Sequence, residues 1–305
     1  MDNVTHSLTG LAMARAGLSA KTRGATLALV VASNLPDIDI VLSLQGSTAY
    51  LEHHRGFTHS VLGAPLLALA LTLLLRLTLR GSRFGWLLVC SMTGIAGHVL
   101  MDLWTSYGTR VLSPFDNRFL TWDLVFIVDP WLLAMLLFAV LWRRRSLQSP
   151  WIATAALGVL VSYVGARAVL HQQAVDQAVA QLGSRAVERI AALPSPIDPF
   201  SWRILADSDG AYWVGNVNLR KGSPALTRRP KRAEDATVAR VREESGVAAV
   251  FLAFSTFPWL EVQETEAGTE VSWRDLRFER PGRESFVARV VLGPNGRIVS
   301  ERFRF

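Results

Sequence analysis

Trp86-Leu87-Leu88-Val89-Cys90-Ser91-Met92-Thr93-Gly94-Ile95-Ala96-Gly97-His98-Val99-Leu100-Met101-Asp102-Leu103-Trp104 is the stretch that decides how this chain is read. It is an apolar run of the length a helix needs to cross a bilayer, roughly 20 residues. Near its end an imidazole and a carboxylate stand four residues apart. That spacing places His98 and Asp102 on one helix face, as in ligand pairs of helical metal sites; a hydrogen-bonded structural pair is the competing reading. Ionisable groups at the centre of a span cost about 2.5–3.5 kcal/mol each on insertion scales, so they are rare unless they pair or bind something.

Outward from this run, residues 61–79, 124–142 and 151–170 read as three more spans, the second with Asp129 and Pro130 near its start. Ahead of them, 4–18 and 24–36 read as a short helical hairpin turning at 19–23. The expected fold is an all-α polytopic membrane bundle over 1–170, followed by a helical connector over 171–200 and a small α+β domain with an antiparallel sheet over 201–305.

Charge separates the two parts. Half of the 305 residues are hydrophobic and 19% are charged, which excludes a disordered chain. Residues 1–170 carry 8 acidic and 13 basic side chains, whereas the shorter remainder carries 17 and 19. Of the 32 basic residues 29 are arginine, without a block dense enough for a nucleic-acid footprint, so no nucleic-acid partner is expected. The single cysteine, Cys90, excludes an intrachain disulfide and a cysteine-based zinc site, and reads as a small buried apolar residue. Met1-Asp2-Asn3-Val4-Thr5-His6 lacks the pattern of a secretory signal, so internal spans are expected to direct insertion.

Short cytoplasmic loops retain Lys and Arg. Lys21 and Arg23, Arg80 and Arg83, and Arg143 to Arg145 all fall on one side when the spans are counted. The other side, expected to be extracytoplasmic, receives His6, residues 36–39, 52–60 and 105–124, and everything after 170. The expected location is the inner membrane.

In the tail, Val175, Val179, Leu182, Val187 and Ile190 recur at near-helical spacing until Pro194, Pro196 and Pro199. Strand alternation is read in 211–219, 248–255, 269–278, 285–292 and 297–305, and a helix in 234–244. Trp202, Trp213, Trp259, Trp273 and Phe278 read as core, and His171 as an exposed or capping residue.

Chemistry collects in the first half. Asn34-Leu35-Pro36-Asp37-Ile38-Asp39 sets two carboxylates after a proline, where a cap needs only one. His53-His54-Arg55-Gly56-Phe57-Thr58-His59-Ser60 holds half of the chain's six histidines. Imidazole with carboxylate is the ligand set of zinc, with manganese or iron as alternative occupants. Topology brings His6, Asp37, Asp39, His54, His59, His98 and Asp102 to one membrane face, so a divalent-metal centre of one to three ions is expected.

These motifs, in order, resemble the bacterial membrane-bound, metal-dependent hydrolases of the LexA-binding, inner-membrane-associated type. The matching residues are Met1 to His6 with Gly10, Leu35-Pro36-Asp37-Ile38-Asp39, His54 to Ser60, and Gly97-His98 through Asp102 with Thr105, Tyr107-Gly108-Thr109 and Pro114-Phe115. The resemblance covers about residues 1–170. It implies a helical fold grouped with zinc-dependent phospholipases C and single-strand nucleases, and phosphoester hydrolysis. It also implies His6, an Asp of the Pro-Asp-Ile-Asp motif, His59, His98 and Asp102 as ligands, with His54 beside them. After Asp102, the nearby carboxylates are Asp116, Asp123 and Asp129.

On these residues the expected reaction is hydrolysis of a phospholipid or lipid-linked phosphoester by metal-activated water, with Asp37 or Asp39 accepting a proton. Arg55 would meet the anionic substrate, or else pair with Glu52 or a lipid headgroup. Thr58 and Ser60 would orient ligands or cap the helix that follows. Membrane lipid is the expected partner; a protein partner for the tail is not legible. Two other classes are weighed: a transporter whose ionisable residues line an ion path, and a non-catalytic assembly or sensor protein with a structural metal.

Overall fold

A computed structural model describes residues 1–141, 150–266, 268–280, 282 and 284–305. The basic triplet at 143–145 lies outside them. The helices of the first half are α1 (Asn3–Arg15), α2 (Ala25–Ala32), α3 (Ser47–His53), α4 (Gly63–Thr78), α5 (Phe84–Leu103), α6 (Pro130–Leu141) and α7 (Trp151–Leu182). A 3-10 run, Leu35–Gln45, follows α2, and a single 3-10 turn, Phe57–His59, precedes α4. α5 and α7 are each long and apolar enough to cross a membrane. Two bent helix pairs, 25–45 and 47–78, bring the possible spans to four if each pair counts as one.

The start of the span expected over 124–142 is corrected, while its last residue lies outside the described residues. Its helix begins only at Pro130, because proline suits the first helical turn and Asp129 caps it, accepting from Trp131 N and Leu132 N, both at 3.0 Å. Residues 124 and 125 instead run as loop, their amides donating to the carbonyl of Trp104. The 12 described residues of α6 rise about 18 Å.

The chain forms two compact units that interleave in sequence: residues 1–39, 55–173 and 194–202 make the first, and 40–54, 174–193 and 203–305 the second. The first has two apolar cores. One joins Leu8 of α1, Met101 of α5, Leu132 and Leu136 of α6 and Leu160 of α7; the other joins Leu29 of α2, Leu71 and Leu75 of α4, and Leu87 and Ile95 of α5. Cys90 is fully buried in the latter. Because α5 serves both cores, its orientation is fixed from two sides.

Two glycines let α2 approach its neighbours. A Cβ on Gly94 would stand 2.7 Å from Ala32 Cβ and 2.8 Å from Leu29 O, and one on Gly10 would stand 2.9 Å from Leu29 O and from Ser33 Oγ. At the opposite end of α5 the two described basic turns meet: Arg23 Nη1 donates to Arg80 O at 3.1 Å and Arg83 N to Thr22 Oγ1 at 2.7 Å. From Phe84 to Asp102 the helix rises about 27 Å, so these basic turns and the His98–Asp102 pair lie a bilayer core apart.

The second unit contains two four-stranded sheets. β1 (Val187–Pro194), β2 (Ser201–Ser208), β3 (Ala211–Asn218) and β4 (Gly222–Pro230) form one in chain order, and β5 (Pro258–Thr265), β6 (Gly268–Asp275), β7 (Val287–Leu292) and β8 (Ile298–Arg304) the other. The registered pairs are antiparallel, with Val214 opposite Thr227, Val262 opposite Val271 and Val290 opposite Glu301. Between the sheets in sequence lie α8 (Ala236–Glu244) and α9 (Gly246–Phe254), capped by Asp235 and Ser245. Leu205, Tyr212, Phe257 and Leu276 form a core here, and Trp273 is buried; Trp202, which belongs to the first unit, is buried as well.

Three expectations for the tail are overturned. The helical connector stops at Leu182, where Gly183 takes φ +64°, and Val187 and Ile190 belong to β1. Their three-residue spacing imitated a helix, but glycine in the left-handed region terminates one. Residues 248–255 form most of α9 and not a strand; Ser245 Oγ accepts from Ala248 N at 3.0 Å and starts the helix. His171 is half-buried, with its ring edge-on to Trp202 at 5.4 Å, so it is packed and neither exposed nor a cap.

Candidate metal centre

Three segments of the first unit converge on one point. Asp37 comes from the 3-10 run after α2, His59 from the 3-10 turn before α4, and His98 and Asp102 from adjacent turns of α5. One ligand atom from each lies within 4.8 Å of all the others. His59 Nε2 and His98 Nε2 are 3.1 Å apart; each stands 3.5 Å from Asp37 Oδ1 and 3.4 Å from Asp102 Oδ2.

Their partners fix which nitrogen faces inward. His98 Nδ1 donates to the carbonyl of Ser33 at 2.8 Å, leaving a lone pair on Nε2. Thr58 Oγ1 donates its one proton to Asp39 Oδ2 at 3.0 Å and so accepts from His59 Nδ1 at 3.0 Å, again leaving the lone pair on Nε2. Two lone pairs and two carboxylate oxygens thus face a common centre. Asp37 Oδ1 and Asp102 Oδ2 are buried and accept no hydrogen bond within the described residues.

Four acceptors in that arrangement repel one another unless a cation lies between them. A tetrahedral zinc with bonds of about 2.0–2.1 Å has ligand atoms about 3.3–3.4 Å apart, and the His–Asp and His–His separations of 3.1–3.5 Å match. The donor set of two imidazoles and two carboxylates suits a divalent ion of that size. The side chains of His59, His98 and Asp102 are fully buried, while that of Asp37 is 14% exposed, so the cluster opens on the Asp37 side.

The other expected residues fall around this tetrad. His6 stacks on His98 with ring centroids 3.8 Å apart, and its Nε2 lies 3.3 Å from Asp102 Oδ1, the oxygen that faces away from the tetrad partners. Asp39 stands behind His59, receiving Thr58 and the backbone amide of Arg55 at 2.9 Å. It thereby orients His59 and the loop, and a ligand atom of its carboxylate also lies within 4.8 Å of one of Asp37, in a second group that could hold an ion. His54 belongs to the second unit, where its ring stacks on Tyr50 at 4.5 Å.

Arg55 is placed differently from the sequence reading. It is buried, with φ +56°, and its Nη2 pairs with Asp102 Oδ1 at 3.0 Å while Nη1 donates to Thr105 Oγ1 at 3.2 Å. Its guanidinium lies 4.8 Å from the Tyr107 ring centroid. The amino group of Met1 also contacts Asp102 Oδ1. Arg55 therefore balances the charge of Asp102, and neither Glu52 nor solvent is its partner. Ser33, through its backbone carbonyl, is the member that side-chain reasoning missed.

Asp116, Asp123 and Asp129 supply nothing to the tetrad. Asp116 is paired with Arg118, whose hydrogen bonds hold its carboxyl below the usual range; Asp123 accepts from Thr121, and Asp129 caps α6.

Residues 1–174 match the family model of the YdjM inner membrane protein, and residues 237–305 match that of the YfhP C-terminal alpha/beta plait domain. The protein named Uncharacterized protein YfhP, from Bacillus subtilis (strain 168), is 28% identical over 309 residues, covering 96% of this chain and 91% of its own. No solved structure matches.

Proposed function

Because this chain belongs to the YdjM inner membrane protein family, we propose that it is a membrane-bound metal-dependent hydrolase acting on the phosphoester of a phospholipid or lipid-linked substrate. The single observation that carries the reading is the tetrad of Asp37, His59, His98 and Asp102, whose His–His and His–Asp separations suit a tetrahedral ligand shell. Zinc is the proposed occupant. When bound, such an ion supplies Lewis acidity and lowers the pKa of a bound water toward about 7.

The chain's own residues do the rest. Ser33 and the Thr58–Asp39 pair hold the two imidazoles with Nε2 inward, and Arg55 offsets the charge of Asp102 without entering the ligand shell. Asp37 is the ligand on the open side, where a substrate would approach. Four protein ligands fill a tetrahedral shell, so the proposed catalysis needs the ion to accept a water as a fifth group on the Asp37 side. By the rule that basic loops stay in the cytoplasm, the cluster faces the extracytoplasmic side, since it lies at the end of α5 remote from Arg23, Arg80 and Arg83.

Elemental analysis of detergent-purified protein, wild type against His98→Ala, tests the centre. Assay of the metal-loaded wild type against phosphodiester, phosphomonoester and acyl-ester panels tests the chemistry. Equal metal in both proteins would refute the centre; a loaded protein inactive on every panel would refute the hydrolase.

A further inference from the structure

A groove of about 310 Å³ runs between the start of α4 and the C-terminal half of α5, and His59 is among its lining residues. Ala64, Met92, Ile95, Ala96 and Leu100 are among its walls; apart from His59 and Ser60 every lining residue is apolar. Ser60 offers nothing to a ligand, because its Oγ donates to Phe57 O at 2.8 Å and accepts from Gly63 N at 3.0 Å. His59 has committed Nδ1 to Thr58 and turns Nε2 toward the tetrad. An occupant of this groove therefore meets hydrocarbon and the side of one imidazole, and finds no hydrogen-bond partner for a polar group of its own.

The volume lies at the lower end of small-molecule pockets, roughly 300–1,000 Å³. The groove is continuous with a surface that meets acyl chains in an inner membrane protein: Met92 and Leu100 on α5 and Leu66, Leu69 and Leu73 on α4 are all exposed apolar residues. We infer that this groove seats one acyl chain of the lipid substrate, beside the tetrad ligand His59. The inference rests on the proposed hydrolase and narrows its substrate to a lipid with a chain that lies along α4 and α5. Since bilayer tails are as apolar as the walls, the groove does not draw a chain out of the membrane by hydrophobicity; it fixes where the chain lies.

The full-length protein in phosphatidylethanolamine vesicles, with a diazirine-bearing phosphatidylethanolamine as probe, tests this. Photolabelling is expected to be at least several-fold denser on residues 61–65 and 92–103 than at Leu77, an apolar position 83% exposed on α4 and outside the groove. Ala96→Trp should bring it down to the Leu77 level while metal content stays at the wild-type value; Ala64→Phe, from the other wall, should do the same if the first variant fails to fold. Groove labelling no denser than at Leu77, or unchanged in folded, metal-loaded variants of both kinds, would overturn the proposal. Phosphodiester hydrolysis without groove labelling would leave the hydrolase standing and the groove refuted. Dense labelling without hydrolysis would do the reverse.

Discussion

Thr58 stands between His59 and Asp39, its hydroxyl 3.0 Å from each, giving its proton to the carboxylate and receiving one from the imidazole. A single hydroxyl thereby decides which nitrogen of His59 faces the tetrad. Thr58→Val, nearly isosteric, removes that relay and leaves the fold's apolar contacts in place. Metal affinity is expected to fall about 10–100-fold, the usual cost of removing a group that orients a ligand. Competition titration with a chelator of known affinity measures it, and Thr58→Ser should restore most of the loss.

Arg55 and Asp102 form a buried ion pair whose carboxylate also serves the tetrad. Asp102→Asn removes a ligand and strands the guanidinium, so the protein should lose its metal and about 3–5 kcal/mol of stability. Thermal unfolding in detergent, followed in the presence and absence of a chelator, separates the two effects: the variant should melt below even the chelated wild type. A variant that melts with the chelated wild type would show that Arg55 does not depend on this carboxylate.

Arg55→Ala is expected to lower metal content and thermal stability together, because it leaves the charge of Asp102 without its balance. Had Arg55 met substrate alone, metal content would stay at the wild-type level and only the Michaelis constant for a phosphodiester would rise. Elemental analysis of the purified variant distinguishes these outcomes directly.

Gly94→Val places a side chain where even a Cβ meets Ala32 and Leu29 at under 3 Å. Overpacking of this kind costs about 1–3 kcal/mol or more. The displaced α2 would also carry the Ser33 carbonyl away from His98, so metal affinity should fall although no ligand is altered. Gly85→Val, at a glycine with open space around it on the same helix, should leave metal affinity unchanged.

In the second unit, Arg277 and Asp275 are buried at 3% and 0% exposure and pair at 2.7 Å, with Thr256 N and Arg277 N also donating to the carboxylate. Asp275→Asn is expected to cost about 3–5 kcal/mol by leaving the guanidinium unbalanced. Hydrogen exchange on the intact protein should show loss of protection around residues 254–278, with metal content untouched.

The tetrad was legible because charge inside an apolar run is conspicuous: His98 and Asp102 declare themselves by spacing, and Asp37 and His59 by standing in dense motifs. What they lean on was less so. The partner of His98 is a backbone carbonyl, which every residue possesses, and the side-chain pattern carries no trace of it. Arg55 read as a substrate cation because a sequence shows charge and not burial. In the tail, Ala248 to Phe254 is apolar throughout, and a short continuous run does not distinguish a buried strand from a buried helix. Ser245, three residues before Ala248, was the available signal for a helix start, as Gly183-Ser184 was for the end of α7.

The tetrad draws on positions 37, 59, 98 and 102, which synthesis delivers in that order and which only a completed α5 brings together. An ion therefore has no site on the nascent chain until the first five helices have assembled, and once captured it staples a long loop, the kind of closure that removes most freedom from an unfolded chain. If the tetrad holds the proposed ion, its capture is in this sense an inspection step: a copy whose α5 is misinserted or truncated would remain unloaded. The loaded fraction of a preparation would then count correctly assembled molecules, independently of any assay of what they do.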